Sequence, residues 1–100
     1  MSVFSKICFY GGGAWGQALS ITLATLGHKS TILVSDKIRE TEINNHTSKK
    51  FPNIKLDNLI NASIDKQEII KISDLIFITT ESKRVLEALK NISLMSKEKI

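Results

Sequence analysis

Short apolar runs punctuate this chain, and each is followed by a stretch in which apolar positions recur every three or four residues. Lys6 to Tyr10 (KICFY), Thr31 to Val34 (TILV) and Leu75 to Thr79 (LIFIT) are compact runs without polar alternation, the pattern of strands covered on both faces. Leu59 to Ile64 reads as a further short strand. From Ala14 to Leu26, the stripe Ala18, Leu19, Thr22, Leu23 and Leu26 predicts a helix that buries those positions and stops at Gly27. Asp36 heads a short helix through KIRETEINN. Asp65, with Glu68 three residues on, is a capping-box-like start ahead of Ile69, Ile70 and Ile72. Ser82 caps a last helix whose Val85, Leu86 and Leu89 share a face. The segment HTSKKFPNIKLDN carries the only proline, Pro52, and little periodicity, so it is a loop.

Strand and helix alternating four times is the order of a parallel α/β sheet. The fold expected is a partial, doubly wound Rossmann-type sheet: its first half plus a fourth strand, in one domain over residues 1–100. Strand order 3-2-1-4 leaves Leu75 to Thr79 at an edge that a fifth strand would cover, so self-association is expected.

Charge and cysteine content narrow the class. The net charge of +4 is spread among carboxylates without a basic stripe or interleaved aromatics, which argues against a nucleic-acid partner. Cys8 is the single cysteine and sits inside an apolar run, where it reads as a small core residue. No disulfide framework or CxxC metal pair can form, and a reducing, cytoplasmic setting fits. His28 and His46 have no ligand-forming companions at metal-binding spacing. The glycines after Tyr10 interrupt any signal-peptide core, and no apolar run approaches membrane-spanning length. Lys83 and Lys90 read as a solvated helix face.

The chemistry lies in YGGGAWGQALS, Tyr10 to Ser20. Gly11, Gly13 and Gly16 satisfy GxGxxG between a strand and a helix. The first permits the tight turn, the second lets the backbone approach a pyrophosphate, and the third allows close packing of helix on sheet. The helix start then aims unpaired N–H groups at the phosphates. At the ribose end two readings stand. Asp36 lies 20 residues after Gly16, where a carboxylate takes the 2′-hydroxyl of NAD; it is also placed to cap the next helix, the simpler reading. Lys37 and Arg39 are close enough to serve the 2′-phosphate of NADP. NAD and NADP both remain open.

GGGAWGQALS closely resembles the GxGxWGTALA-type signature of the NAD(P)-dependent glycerol-3-phosphate dehydrogenases. The likeness continues through LGH (Leu26 to His28), Ile43 and Asn44 with the following His46, FPNIKL (Phe51 to Leu56) and SDLIFITTES (Ser73 to Ser82), and so covers essentially the whole chain. Thr80 and Glu81 depart from the family's usual Val-Pro, Lys83 stands where Gln is common, and the FP loop is a little shorter. The resemblance implies that Ala14, Trp15 and Phe51 join the cofactor site, and it puts Ser35 where the family usually has Arg or His. It implies hydride transfer between NAD(P)H and dihydroxyacetone phosphate or glycerol 3-phosphate, which supplies glycerophospholipid precursors. The family's catalytic lysines lie beyond a strand that would begin near Ile100. No catalytic residue is therefore assigned here, and the chain is expected to be an N-terminal part, inactive alone, whose substrate domain is missing or separately encoded. The alternatives are a free-standing regulatory nucleotide-binding module and a non-functional remnant.

Overall fold

A computed structural model describes residues 6–80 and 84–95. Four strands, β1 (Ile7–Tyr10), β2 (Ser30–Leu33), β3 (Ile60–Ser63) and β4 (Leu75–Ile78), alternate with α1 (Ala14–Thr25), α2 (Lys37–Asn44), α3 (Lys66–Ile72) and α4 (Val85–Met95). All pairings are parallel and the order is β3-β2-β1-β4, as the alternation predicts. Tyr10 is level with Leu33 on one side and Ile78 on the other, so three strands end together at one carboxyl edge. The expected cap Ser82 lies outside the described residues.

Side-chain alternation along the strands divides the core in two. Ile7, Phe9, Ile32, Val34, Ile60 and Ala62 face α1 and α2 and pack with Ala24 and Ile43. Cys8, Tyr10 and Leu33 point the other way, onto Ile70 of α3 and Ala88 and Ile92 of α4. The sheet is thus doubly wound, with two helices on each face. Phe9 stacks on Phe77 of β4 with ring centroids 5.3 Å apart. Asn91 Nδ2 donates to the Tyr10 hydroxyl at 3.0 Å, tying α4 to the end of β1.

Helix ends follow the sequence closely. Asp36 and Asp65 accept from the N–H groups of Arg39 and Glu68 at 2.7 and 3.2 Å, capping α2 and α3. At the end of α1, His28 N–H donates to Leu23 and Gly27 N–H to Ala24, a Schellman turn for which Gly27 adopts φ 85°. The same bond pattern closes α2 around His46, at φ 67°.

Two helix faces differ from the periodicity. In α1 the buried positions are Gly16, Gln17, Ser20 and Ala24, not the predicted stripe. Leu19 and Leu23 pack only at the margin of the core, while Thr22 and Leu26 are exposed. The cause is proximity: α1 lies so near the sheet that small residues at four-residue spacing must face it. In α4, among the side chains described, Ala88 and Ile92 are buried, while Leu86, at 80% exposure, and Leu89 turn outward. No helix among the described residues is long and apolar enough to cross a membrane.

Burial pushes the Cys8 thiol up from 9.0 to about 12, with a hydrogen bond to Ser73 pulling weakly the other way. Once pH passes the ordinary value the unfolded thiol ionises, whereas the folded one stays neutral. Its contribution to stability is therefore full below pH 9 and is lost as pH rises through about 12. We expect the urea midpoint to fall more steeply over that window than in Cys8→Ala. Thiol labelling at pH 8 should be slow in the native chain and fast in urea; rapid native labelling would contradict the buried position.

Candidate functional site

The carboxyl ends of β1, β2 and β4 open into a cleft of about 470 Å³. Its floor is the turn Gly11–Gly13. Ser35 and Arg39 form the wall beyond β2, and Lys66, Arg84 and Glu87 the wall toward α3 and α4. Among the described residues that line it, three cations stand against one carboxylate, a balance that suits an anion. Lys66 is further positioned by the Tyr10 ring, its Nζ 5.5 Å from the centroid.

Each glycine has its own reason. Gly11 adopts φ 128°, where a side chain is strained, and a Cβ would also press on Thr80. A Cβ on Gly16 would lie 2.6 Å from the Gly11 carbonyl oxygen and 2.7 Å from Thr79 Oγ1, so only glycine permits α1 to approach. Gly13 is different. Its backbone, at φ −75° and ψ −175°, suits any residue, and a Cβ there would meet no atom within 4 Å. Nothing among the described residues requires glycine at that point, whereas a group lying across the turn would.

The carbonyls of the turn are drawn away from the cleft's business. Gly11 O accepts from Thr79 Oγ1 at 3.0 Å, and Gly13 O from Gln17 N–H at 3.1 Å in the first helical bond. Gly12 O accepts from Gln17 Nε2 at 2.8 Å and from Arg39 Nη1 at 3.4 Å. Gln17 is fully buried, and its Oε1 accepts in turn from the Ser48 hydroxyl. The N-terminus of α1, by contrast, has no side-chain cap and no acidic residue in its first turn. Its first N–H groups lack helical partners and its dipole favours negative charge, so they suit a phosphate. The residues present therefore fit the pyrophosphate of a dinucleotide.

Of the residues singled out in the sequence, Gly11, Gly13 and Ser35 line the cleft together, and Gly16 sits just beneath. Asp36 adjoins Ser35, but its carboxylate caps α2. Ala14 and Trp15 are exposed on the first turn of α1, and Phe51 is half-buried in the loop after α2; none of the three lines the cleft. Lys37 is exposed, whereas Arg39 lines the wall. Sequence reasoning missed Gln17, Ser48, Thr79, Lys66 and Arg84. Only the parallel topology, which brings the starts of α3 and α4 to the same edge, would have pointed to the last two. No group of three or more potential metal ligands occurs among the described residues.

Stability separates the two kinds of glycine. Gly16→Ala should cost about 1–3 kcal/mol through overpacking against backbone. Gly13→Ala should change stability by less than about 1 kcal/mol, as substitutions at open sites do. Urea unfolding of both variants checks this; equal losses would mean that α1 does not sit this close.

Residues 6–100 match the family described as "NAD-dependent glycerol-3-phosphate dehydrogenase N-terminus". The glycerol-3-phosphate dehydrogenase [NAD(P)+] of Orientia tsutsugamushi is 36% identical over 89 residues, covering 87% of this chain and 27% of that protein. The corresponding protein of Halothermothrix orenii is 31% identical over 98 residues, covering 95% of this chain and 29% of its own length. The crystal structure of glycerol-3-phosphate dehydrogenase from Coxiella burnetii superimposes with a TM-score of 0.81 at 23% identity, over 95% of this chain and 30% of that one, a likeness of fold. The chain thus spans a little over a quarter of the length of these curated relatives.

Proposed function

The chain belongs to the family of NAD-dependent glycerol-3-phosphate dehydrogenase N-termini, and from that premise we propose that its cleft holds the adenosine and pyrophosphate half of NAD(P). The observation that carries this reading is Gly13, a glycine that no described residue requires, in an open turn beside an uncapped helix start. In this reading the N–H groups at the start of α1 bind the pyrophosphate, Gly11 and Gly13 let it lie against the backbone, and Gly16 holds the helix at the right depth. Ser35 faces the adenosine ribose. Trp15, Ala14 and Phe51 border the path toward the reacting end, a role that rests on family resemblance.

The dinucleotide, when bound, supplies or accepts the hydride exchanged with carbon 2 of glycerol 3-phosphate or dihydroxyacetone phosphate. This chain's residues bind and orient. The groups that hold the substrate phosphate and stabilise the developing alkoxide come, on this proposal, from a further segment of the enzyme. The activity would supply glycerophospholipid precursors in a reducing cytoplasm, a setting supported by the buried, unpaired thiol of Cys8.

The same proposal gives β4 a partner. Phe77, Leu86 and Leu89 are exposed, and a groove lined by Leu75, Ile76, Ile78 and Leu89 runs beside β4. Further sheet of the same enzyme covers this face; alone, the chain self-associates through it.

Gly13→Val should abolish dinucleotide binding measured by calorimetry while leaving the unfolding midpoint in place; unchanged affinity would refute the site. The 100-residue chain should bind but not oxidise NADH or NADPH with dihydroxyacetone phosphate, and should gain activity when the remaining segment is supplied. Turnover by the purified chain, lost in Gly13→Val, would place a catalytic group among these residues. Sedimentation should show concentration-dependent association, and a chain that stays monomeric at high concentration would overturn the open-edge argument.

A further inference from the structure

A peptide between two glycines is the freest kind in a chain, and the floor of the cleft contains one. The Gly12–Gly13 plane turns on ψ of one glycine and φ of the other, with no Cβ on either side to limit it. In a trans peptide the carbonyl and the N–H point opposite ways, so whatever holds the Gly12 carbonyl also aims the Gly13 N–H. No described residue accepts from that N–H, and both glycines line the cleft. The direction of this one plane therefore decides whether the turn offers an anion a donor or an acceptor.

Gln17 sets that direction. Its Nε2 donates to the Gly12 carbonyl at 2.8 Å, a shorter and stronger bond than the 3.4 Å one from Arg39 Nη1. Gln17 is only 1% exposed, so the carbonyl is drawn into the protein and the Gly13 N–H is left facing the other way. An amide can present either end, and Ser48 decides which. Its buried hydroxyl donates to Gln17 Oε1 and leaves Nε2 for Gly12. Gln17 stands where the signature that this stretch resembles carries threonine, so the arrangement is not part of that signature.

Ser48 belongs to the loop after α2, whose residues 49–55 are exposed apart from the half-buried Phe51. Leu56 N–H closes the neck of the loop on the His46 carbonyl at 2.9 Å. Among the described residues, the bond from Ser48 to Gln17 is the one hydrogen bond that ties residues 47–55 to anything other than themselves and α2.

We propose that Ser48 and Gln17 form a latch between this loop and the glycine turn. With the loop closed, Gln17 fixes the Gly12–Gly13 peptide with its N–H available to a phosphate; with the loop open, the peptide is free to turn and phosphate affinity falls. Both are positioning residues, since neither lines the cleft. The proposal rests on the reading of the cleft as a dinucleotide site, and adds that its occupancy is linked to closure of a loop outside it. Such linkage is reciprocal, so a ligand in the cleft must also favour the closed loop.

Hydrogen exchange of the full chain with and without saturating ADP tests the linkage without any substitution. ADP should slow the Lys50 and Phe51 amides, which bond back to Ser48, about fivefold more than the Ser73 amide at the far end of α3. By calorimetry, Ser48→Ala should weaken ADP binding about fivefold and Gln17→Leu about tenfold, the worth of one positioned bond to a charged group. Ser48→Thr, which keeps the hydroxyl, should bind as the unaltered chain does. The double variant should lose no more than Gln17→Leu alone, because one latch is released only once. Equal slowing at all three amides, unchanged affinity in Ser48→Ala, or additive losses in the double variant overturns the latch and leaves the dinucleotide site standing. If Gln17→Leu fails to fold, the exchange measurement and the Ser48 pair decide. An unaltered chain that binds neither ADP nor NADH defeats the dinucleotide reading itself.

Discussion

The approach of α1 to the end of β1, set by the bare backbone of Gly16, governs the whole carboxyl edge of the sheet. A Cβ there would stand 2.6 Å from the Gly11 carbonyl oxygen, closer than real side-chain contacts come. Glycine inside a helix costs roughly 0.5–1 kcal/mol relative to alanine, yet forcing a methyl into that gap costs about 1–3 kcal/mol. Packing therefore wins over propensity. The rest follows from that distance: Ser20 and Ala24 continue the narrow face, the leucines move to its flanks, and Thr79 comes near enough to hold the Gly11 carbonyl.

The strands were legible because a run such as CFY or LIFI has no polar position to send to solvent, and a sheet covered twice is the one place for it. The glycines were legible as a set, but not their separate tasks, which depend on what stands opposite each Cβ. The stripe of α1 was misread for the same reason: a leucine repeat marks the buried face only when the helix stands off at ordinary distance. Leu86 and Leu89 of α4 show a second limit, since apolar spacing identifies a face but not whether the described structure supplies its partner. Lys66 and Arg84 carry no local signal. They reach the cleft because parallel strands bring successive helix starts to one edge.

The helices also differ in how their first turns are completed. α2 and α3 are closed by aspartates that take a backbone N–H, while α1 starts on a glycine that offers no acceptor. A glycine at the N-cap forgoes only about a few tenths of a kcal/mol relative to an aspartate or serine cap. That cost leaves donors and dipole available to an outside anion, and it falls on the helix that faces the cleft.

Gln17 carries one more consequence. Lys50 N–H donates to Ser48 Oγ, Ser48 donates to Gln17 Oε1, and Gln17 Nε2 donates to the Gly12 carbonyl. Every donor in this relay points the same way, from the loop after α2 toward the turn, so the amide has only one orientation that satisfies both of its ends. Aligned hydrogen bonds polarise one another. Their positive ends converge on the Gly12 carbonyl, so a loop that does not line the cleft helps to hold the peptide of the glycine turn in its orientation.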